Sequence, residues 1–264
     1  MATFTNDGVE IAYDDLAPNG PSEHAVLLVH GFASNRLEGW RRMGWLDAFQ
    51  RRGARTVALD LRGHGESGKP RDSQAYGVDT LAGDVLALMD HLGLGSVDLF
   101  GYSMGARVAF AVAQAAPARI TNLILGGVGG RMLEDGADGD RPDMGEAMLA
   151  ADPTTITDPL LRSFRHFADE QGEDRQALAA FVTKPVEPID LAAARGLSMP
   201  SLVVAGARDR IAGDPAELAA ILPAGHAVTV PACDHFSAIP HALTKGAVFD
   251  FLDGLLDDPF ERRW

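Results

Sequence analysis

Ser103 is the residue whose surroundings most clearly predict chemistry, because it lies in the sequence Gly101-Tyr102-Ser103-Met104-Gly105. An apolar stretch typical of a strand precedes this pentapeptide, and an alanine-rich stretch typical of a helix follows it. A sharp turn from strand to helix leaves no room for side chains two positions away, so glycines there let the serine protrude. The pattern predicts a nucleophilic hydroxyl at a helix start, and a serine that only caps the helix is the alternative.

A serine hydroxyl becomes a good nucleophile only when a base takes its proton, and the chain has eight histidines that could do so. His235 follows the last predicted strand, and active groups gather at the carboxyl ends of parallel strands. We therefore predict that His235 is the base. His30 also follows a strand, but we expect it to brace the next loop rather than to react.

The base in turn needs a carboxylate that orients its ring and stabilises the imidazolium. Asp209 follows the apolar run SLVVAGAR and precedes His235 by a predicted helix and strand, which is the expected chain order of serine, acid and histidine. Asp214 is a rival, but the proline after it favours a helix cap. Asp234 is adjacent to His235, and we expect its side chain to point away.

The tetrahedral intermediate formed by such a nucleophile carries an oxyanion, which backbone amides commonly stabilise. The amide of Met104, next to Ser103 at the helix start, is the first candidate. The second comes from the loop after LLVHGF, where we predict the amide of Phe32.

Strand-like and helix-like segments alternate along the chain, which indicates a mostly parallel sheet with helices on both faces. The predicted strands lie within segments 9–17, 24–32, 54–67, 96–105, 120–130, 200–209 and 226–236. The clearest helical patterns are 78–94, 106–117, 214–223 and 241–256. Residues 131–195 contain no convincing strand, so we predict an α/β core of 1–130 and 196–264 with a small helical cap insertion of 131–195.

Composition limits the partners and the compartment. The formal net charge of −14 argues against nucleic acid and anionic membrane surfaces as partners. No apolar stretch is long enough to span a membrane, and the first fifteen residues lack a basic region followed by an apolar one. The single cysteine, Cys233, cannot form an internal disulfide, so we expect a cytoplasmic protein.

The segments LVHGF, LDLRGHGES, GYSMG, VAGARD and DH occur in this order, and together they resemble the α/β-hydrolase superfamily. The resemblance covers nearly the whole chain except residues 131–195, where this family carries a helical cap. It implies an eight-stranded, mostly parallel sheet and assigns the nucleophile, acid, base and oxyanion donors to the same five residues as above. In length and layout the chain is similar to esterases, enol-lactonases, cofactor-free haloperoxidases and carbon–carbon bond hydrolases.

The resemblance implies hydrolysis of a small carboxylic ester or lactone through an acyl-enzyme, without a metal or organic cofactor. Epoxide hydrolases and haloalkane dehalogenases of this fold attack with aspartate, whereas position 103 is serine. Cleavage of a carbon–carbon bond in a vinylogous diketone, cofactor-free dioxygenation and a receptor-like binding function stay open. The oligomeric state is also open.

Aromatic residues around the predicted site are candidates for lining a substrate pocket, namely Trp40, Phe164 and Phe236. Arg162 and Arg165, with His166, cluster in a predicted cap helix and could bind a substrate carboxylate. The alternative for this cluster is a solvated helix face that balances nearby acidic residues.

Overall fold

The computed structural model describes residues 1–18, 24–134, 142–184 and 189–256 of the 264-residue chain. The strands of its sheet are β1 Ala2–Asn6, β2 Val9–Leu16, β3 Ala25–Val29, β4 Arg55–Leu59, β5 Val97–Tyr102, β6 Ile120–Gly126, β7 Ser201–Gly206 and β8 Gly225–Val230. They lie in the order β1-β2-β4-β3-β5-β6-β7-β8. β2 pairs antiparallel with β1 and β4, and every other pair is parallel. The predicted mostly parallel sheet is thereby confirmed.

The connections between the strands are largely helical. The α-helices are α1 Trp45–Arg51, α2 Val78–His91, α3 Met104–Ala115, α4 Pro142–Leu149, α5 Pro159–Gln171, α6 Arg175–Val182, α7 Leu191–Arg195, α8 Pro215–Ala219 and α9 Ala242–Leu252. Sequence patterns did not reveal β1 or α1, because both are short and β1 is largely exposed. In the described part of the chain, no helix has the length and apolar character needed to cross a membrane.

Alternate residues of the central strands enter two different apolar clusters, which is why these strands read as continuous apolar runs. In β3, Leu27 and Val29 pack in the cluster that α2 and α3 cover, whereas Val26 and Leu28 pack with the residues of α1 and α9. All four side chains are completely buried. Helices therefore cover both faces of the sheet, and its carboxyl edge remains for a functional site.

Helices α4 to α7 lie between β6 and β7, in the segment predicted as a cap. They have an apolar cluster of their own, in which Met148, Phe164 and Leu178 pack with Ala33 of the core. Residues 135–141 and 185–188 of the predicted insertion lie outside the described residues. The insertion boundaries 131–195 stay a prediction.

Candidate active site

Ser103 lies at the abrupt turn from β5 into α3. Its φ of 56° and ψ of −116° place a non-glycine residue in a sparsely populated region of backbone space. A Cβ at Gly101 would collide with the carbonyl of Gly105, and a Cβ at Gly105 would collide with the carbonyl of Val29. The Ser103 amide donates to the Gly126 carbonyl at 2.7 Å, which ties the turn to β6. The steric reason for glycine at both flanking positions is therefore confirmed.

Three side chains from distant parts of the sequence meet beside this turn. The Ser103 hydroxyl donates to Nε2 of His235, and the two atoms are 2.9 Å apart. Nδ1 of His235 lies 2.8 Å from Oδ2 of Asp209. The Asp209 side chain has no exposed surface and that of His235 is 7% exposed, so this chain of contacts is shielded from water. The arrangement can move a proton from the hydroxyl to the imidazole while the carboxylate stabilises the imidazolium.

The position of Asp209 is set by the loop that follows β7. Its Oδ1 accepts hydrogen bonds from the amides of Ile211 and Ala212, both at 3.0 Å. Its other oxygen is thereby directed at His235. The backbone of His235 is held by the buried hydroxyl of Tyr102, which donates to the His235 carbonyl at 2.7 Å. Each partner of Ser103 is thus fixed by its own local hydrogen bonds.

The two rival acids accept hydrogen bonds from nearby backbone amides instead. Asp214 is exposed and accepts from the amide of Ala216 at 2.9 Å, which caps α8 as its sequence predicted. Asp234 accepts from the hydroxyl of Ser237 at 2.6 Å and from the Ser237 amide at 2.9 Å. These bonds lower the pKa of the Asp234 carboxyl. The hydrogen bonds of the His235 ring go to Asp209 and Ser103 rather than to either of these carboxylates.

His30 braces the loop next to Ser103, as its position after β3 predicted. Its Nε2 accepts from the amide of Leu61 at 3.0 Å, so its Nδ1 donates to the carbonyl of Gly31 at 2.8 Å. Complete burial lowers the pKa of His30, which favours the neutral ring that this pair of bonds requires. His30 therefore has a structural role.

The predicted oxyanion donors flank the nucleophile. Met104 is the first residue of α3, and a Cβ at Gly31 would lie only 3.3 Å from Cβ of Ser103, so the loop that carries Phe32 lies against the turn. Within the described residues, the amides of Phe32 and Met104 donate to no carbonyl outside the regular elements. Their role as oxyanion donors stays a prediction.

Two cavities of about 130 Å³ and 110 Å³ meet at Ser103, and both are lined by Phe32 and Phe164. We call them the Arg107 cavity and the His235 cavity. Among other residues, the Arg107 cavity is lined by Met104, Arg107, Met132, Met144, Phe181 and Lys184. The His235 cavity is also lined by Glu38, Tyr102, His235, Phe236 and Ile239. Phe164 and Phe236 therefore lie where the sequence placed them, beside the candidate nucleophile.

Trp40 does not line either cavity, and its prediction as a substrate-binding residue is wrong. Its side chain is completely buried in the core on one face of the sheet. There its ring lies 4.9 Å from that of Phe100 and 6.4 Å from that of Trp45, measured between centroids. A large apolar ring is stabilised more by this close packing than by partial exposure at a pocket.

The arginines of α5 also lie away from the cavities. Arg165 is buried, donates to the carbonyls of Ala147 and Ala150, and pairs with Asp169, so it joins α5 to the end of α4. Arg162 donates to a backbone carbonyl before its own helix. The expectation that this cluster binds a substrate carboxylate is therefore not supported.

Sequence analysis missed the cations that do line a cavity. Arg107 follows Ser103 by four residues on α3, and this spacing places both residues on one side of the helix. The sequence alone could therefore have predicted that Arg107 lies near Ser103. Lys184 has no comparable signal, because the folding of α6 against the core brings it to the cavity.

Known proteins resemble this chain in sequence and in structure. It is 34% identical over 231 residues to a dihydrolipoyllysine-residue acetyltransferase component of an acetoin cleaving system from Pseudomonas putida. The aligned region covers 79% of this chain and 60% of that relative. It is 36% identical over 113 residues to an epoxide hydrolase from Caballeronia sordidicola, covering 40% of this chain and 33% of that relative. The chain thus spans from a third to three fifths of these curated relatives.

Among solved structures, a hydrolase from Pseudomonas aeruginosa PA01 superimposes with a TM-score of 0.76 at 27% identity, over 95% of this chain and 97% of the other. A family model described as the alpha/beta hydrolase fold matches residues 24–160, just over half of the chain. This match includes the turn at Ser103 and agrees with the sheet order seen in the structure. The chain therefore belongs to the α/β-hydrolase fold family.

Proposed function

We propose that this protein is a serine hydrolase that cleaves a small carboxylic ester or lactone through an acyl-enzyme intermediate. The observation that carries the proposal is the chain of contacts from Ser103 Oγ to His235 Nε2 at 2.9 Å and from His235 Nδ1 to Asp209 at 2.8 Å. These distances suit proton transfer from the hydroxyl to the ring. His235 can therefore act as the base for Ser103 without a further group.

The first half of the reaction forms the acyl-enzyme. Ser103 Oγ attacks the carbonyl carbon while His235 takes its proton, and the amides of Phe32 and Met104 stabilise the resulting oxyanion. His235 then gives the proton to the leaving oxygen as the carbon–oxygen bond breaks. Asp209 keeps the ring in the tautomer that has a free Nε2.

In the second half, a water molecule takes the place of the leaving alcohol and loses a proton to His235 as it attacks the acyl-enzyme. Collapse of the second tetrahedral intermediate returns the proton to Ser103 and releases the carboxylic acid. The sum of the two halves is ester plus water to acid plus alcohol. A lactone gives one product, the hydroxy acid.

Serine as the nucleophile separates this proposal from epoxide opening. Epoxide hydrolases of this fold form an ester between an aspartate and the substrate, and water then attacks the aspartate carbonyl. Ser103 cannot form such an intermediate with an epoxide, since it would produce an ether that water does not cleave. The likeness to an epoxide hydrolase over 40% of the chain is therefore taken as kinship of fold rather than of reaction.

The proposal is tested with p-nitrophenyl acetate and p-nitrophenyl butyrate. We expect Ser103→Ala to lower kcat at least about 10⁴-fold, because the acyl-enzyme cannot form. Ser96→Ala, which changes an exposed serine just before β5, is the matched control and should retain the full rate. A fluorophosphonate probe should label the wild type and not Ser103→Ala. Turnover in Ser103→Ala above a tenth of the wild-type rate would refute the assignment.

A further inference from the structure

The Arg107 cavity lies between the core and the helices that precede β7. Val128 lines it from the loop after β6, whereas Met144 belongs to α4 and Phe181 to α6. Apart from Ser103 and two cations, every described lining residue of this cavity is apolar or a glycine. Such a wall suits an uncharged alkyl chain, whose transfer from water to an apolar surface is favourable.

The position of His235 assigns the two cavities to the two halves of an ester. His235 lines the His235 cavity and is absent from the described lining of the Arg107 cavity. In the proposed reaction the imidazole delivers its proton to the leaving oxygen, so the alcohol lies on the side that His235 borders. Met104, whose amide is a candidate oxyanion donor, lines the Arg107 cavity instead. The chain attached to the reacting carbonyl therefore extends into the Arg107 cavity.

The volume of the Arg107 cavity limits the length of that chain. The cavity has a volume of about 130 Å³. For comparison, an apolar cavity of about 150 Å³ binds benzene, a molecule with six carbon atoms. On this scale the Arg107 cavity takes about five carbon atoms beyond the reacting carbonyl, which corresponds to a hexanoyl group.

Met144 forms a part of the wall that a single substitution can change. Its side chain is 2% exposed and packs with Phe164 and Leu178 in the apolar cluster of the insertion. Replacement of Met144 by alanine removes three heavy atoms, namely Cγ, Sδ and Cε. The space that they leave would admit about three more carbon atoms of an acyl chain, since the surrounding structure relaxes only partly around such a cavity.

We infer that the Arg107 cavity binds the acyl chain of the substrate and that Met144 limits this chain to about six carbons, counting the carbonyl. The inference rests on the proposed function and specifies its substrate class as esters of uncharged, straight-chain acids up to hexanoic acid. Each methylene group that leaves water for the cavity strengthens binding about fourfold. A longer chain must displace the wall, which weakens binding at least about fivefold.

The test measures kcat/KM for p-nitrophenyl acetate, butyrate, hexanoate, octanoate and decanoate, all below the concentration at which these esters aggregate. In the wild type, kcat/KM should rise about fourfold for each methylene group up to hexanoate and should be at least about fivefold lower for octanoate. In Met144→Ala, the highest value should move to octanoate.

Two other methionines provide matched controls. Met148 lies one helical turn after Met144, is completely buried and is absent from the described lining of both cavities, so Met148→Ala should retain the wild-type order of chain lengths. Met43 lines the His235 cavity, so Met43→Ala should also retain this order, but it should favour benzyl butyrate over ethyl butyrate more than the wild type does. If Met43→Ala rather than Met144→Ala moves the preferred chain length, the acyl chain occupies the other cavity and the inference is overturned.

A second measurement does not depend on turnover. Hexanamide should raise the Tm of Ser103→Ala more than octanamide does at the same concentration, and the double variant Ser103→Ala, Met144→Ala should reverse this order. If the wild type cleaves the esters but Met144→Ala keeps the wild-type order of chain lengths, or if the two amides shift both variants alike, the inference is overturned while the proposed function stands. If the amides follow the expected orders but no ester is cleaved and the fluorophosphonate probe does not label Ser103, the site for the chain stands and the proposed function fails.

Discussion

Replacement of Asp209 by asparagine tests the proposed mechanism most sharply, because the structure determines which way the new side chain must face. Oδ1 of Asp209 accepts from the amides of Ile211 and Ala212, and Oδ2 faces Nδ1 of His235. In Asp209→Asn, only the amide oxygen can accept from the two backbone donors. The NH₂ group must therefore face Nδ1 of His235.

This orientation selects the wrong tautomer of the histidine. An NH₂ group opposite Nδ1 requires Nδ1 to accept, so the ring proton moves to Nε2. Nε2 then carries a proton at the atom that lies 2.9 Å from Ser103 Oγ, and it cannot take the proton of the hydroxyl. We expect kcat to fall about 10⁴-fold, which corresponds to about 5.4 kcal/mol of transition-state stabilisation.

The assay is the steady-state hydrolysis of p-nitrophenyl butyrate, with thermal unfolding as a check of the fold. The backbone bonds of residue 209 are kept in the asparagine variant, so its Tm should be close to that of the wild type. Asp209→Ala instead leaves the buried amide of Ala212 and the partly buried amide of Ile211 without an acceptor, and it should lower the stability by about 1–3 kcal/mol for the buried amide alone.

Asp214→Asn is the matched control, since Asp214 is exposed and caps α8 with the same type of bond, from a backbone amide to a carboxylate oxygen. It should keep full activity. If Asp209→Asn retained more than a tenth of the wild-type kcat, or if Asp214→Asn lost as much activity as Asp209→Asn, the tautomer argument would be refuted.

Three further predictions concern stability, each measured by urea denaturation. Gly105→Ala should destabilise the protein by more than about 4 kcal/mol, since the new Cβ would collide with a strand carbonyl. Gly83→Ala, in open space on α2, should stabilise it by up to about 1 kcal/mol, and equal effects of the two substitutions would contradict this reasoning. A hydrogen bond with Asp98 raises the pKa of His24, so the stability that this pair contributes is fully present below the unfolded-state pKa of about 6.5 and is lost as the pH rises through the folded-state pKa. His24→Ala should remove this loss, which is about 1 kcal/mol or less at a half-exposed site, and an unchanged profile would count against it. Glu173 accepts a hydrogen bond from the Gly65 amide, and burial raises the pKa of its carboxyl. Because the charged form is disfavoured in the folded state, the stability falls as the pH rises through that pKa. Glu173→Gln should flatten this fall, and a steeper fall would disprove the reasoning.

The features of the site that could be predicted from the sequence depend on residues that are close together in the chain. The turn at Ser103 depends on the glycines two positions away, and these lie within the same pentapeptide. His235 and Asp209 follow apolar strand-like runs, and parallel pairing brings the ends of such strands to one edge of the sheet. The sequence contains each of these signals within a few residues, so the sequence alone predicted which residues meet.

Long-range packing decided the remaining features. Trp40 follows the Phe32 loop in the sequence, but only the packing of Phe100 and Trp45 around it determines that its ring lies in the core. Arg165 is on an amphipathic helix whose partners lie in α4, so its burial depends on how two segments of the insertion meet.

The sequence by itself therefore determined the fold family, the strained serine and the order of its partners, because these follow from local backbone sterics and from strand periodicity. Only the tertiary structure decided that two cavities meet at Ser103 and that Arg107 and Lys184 border one of them. The physical reason is that the charge and shape of a cavity are properties of surfaces from several distant segments. Their relative placement depends on the packing of the whole chain.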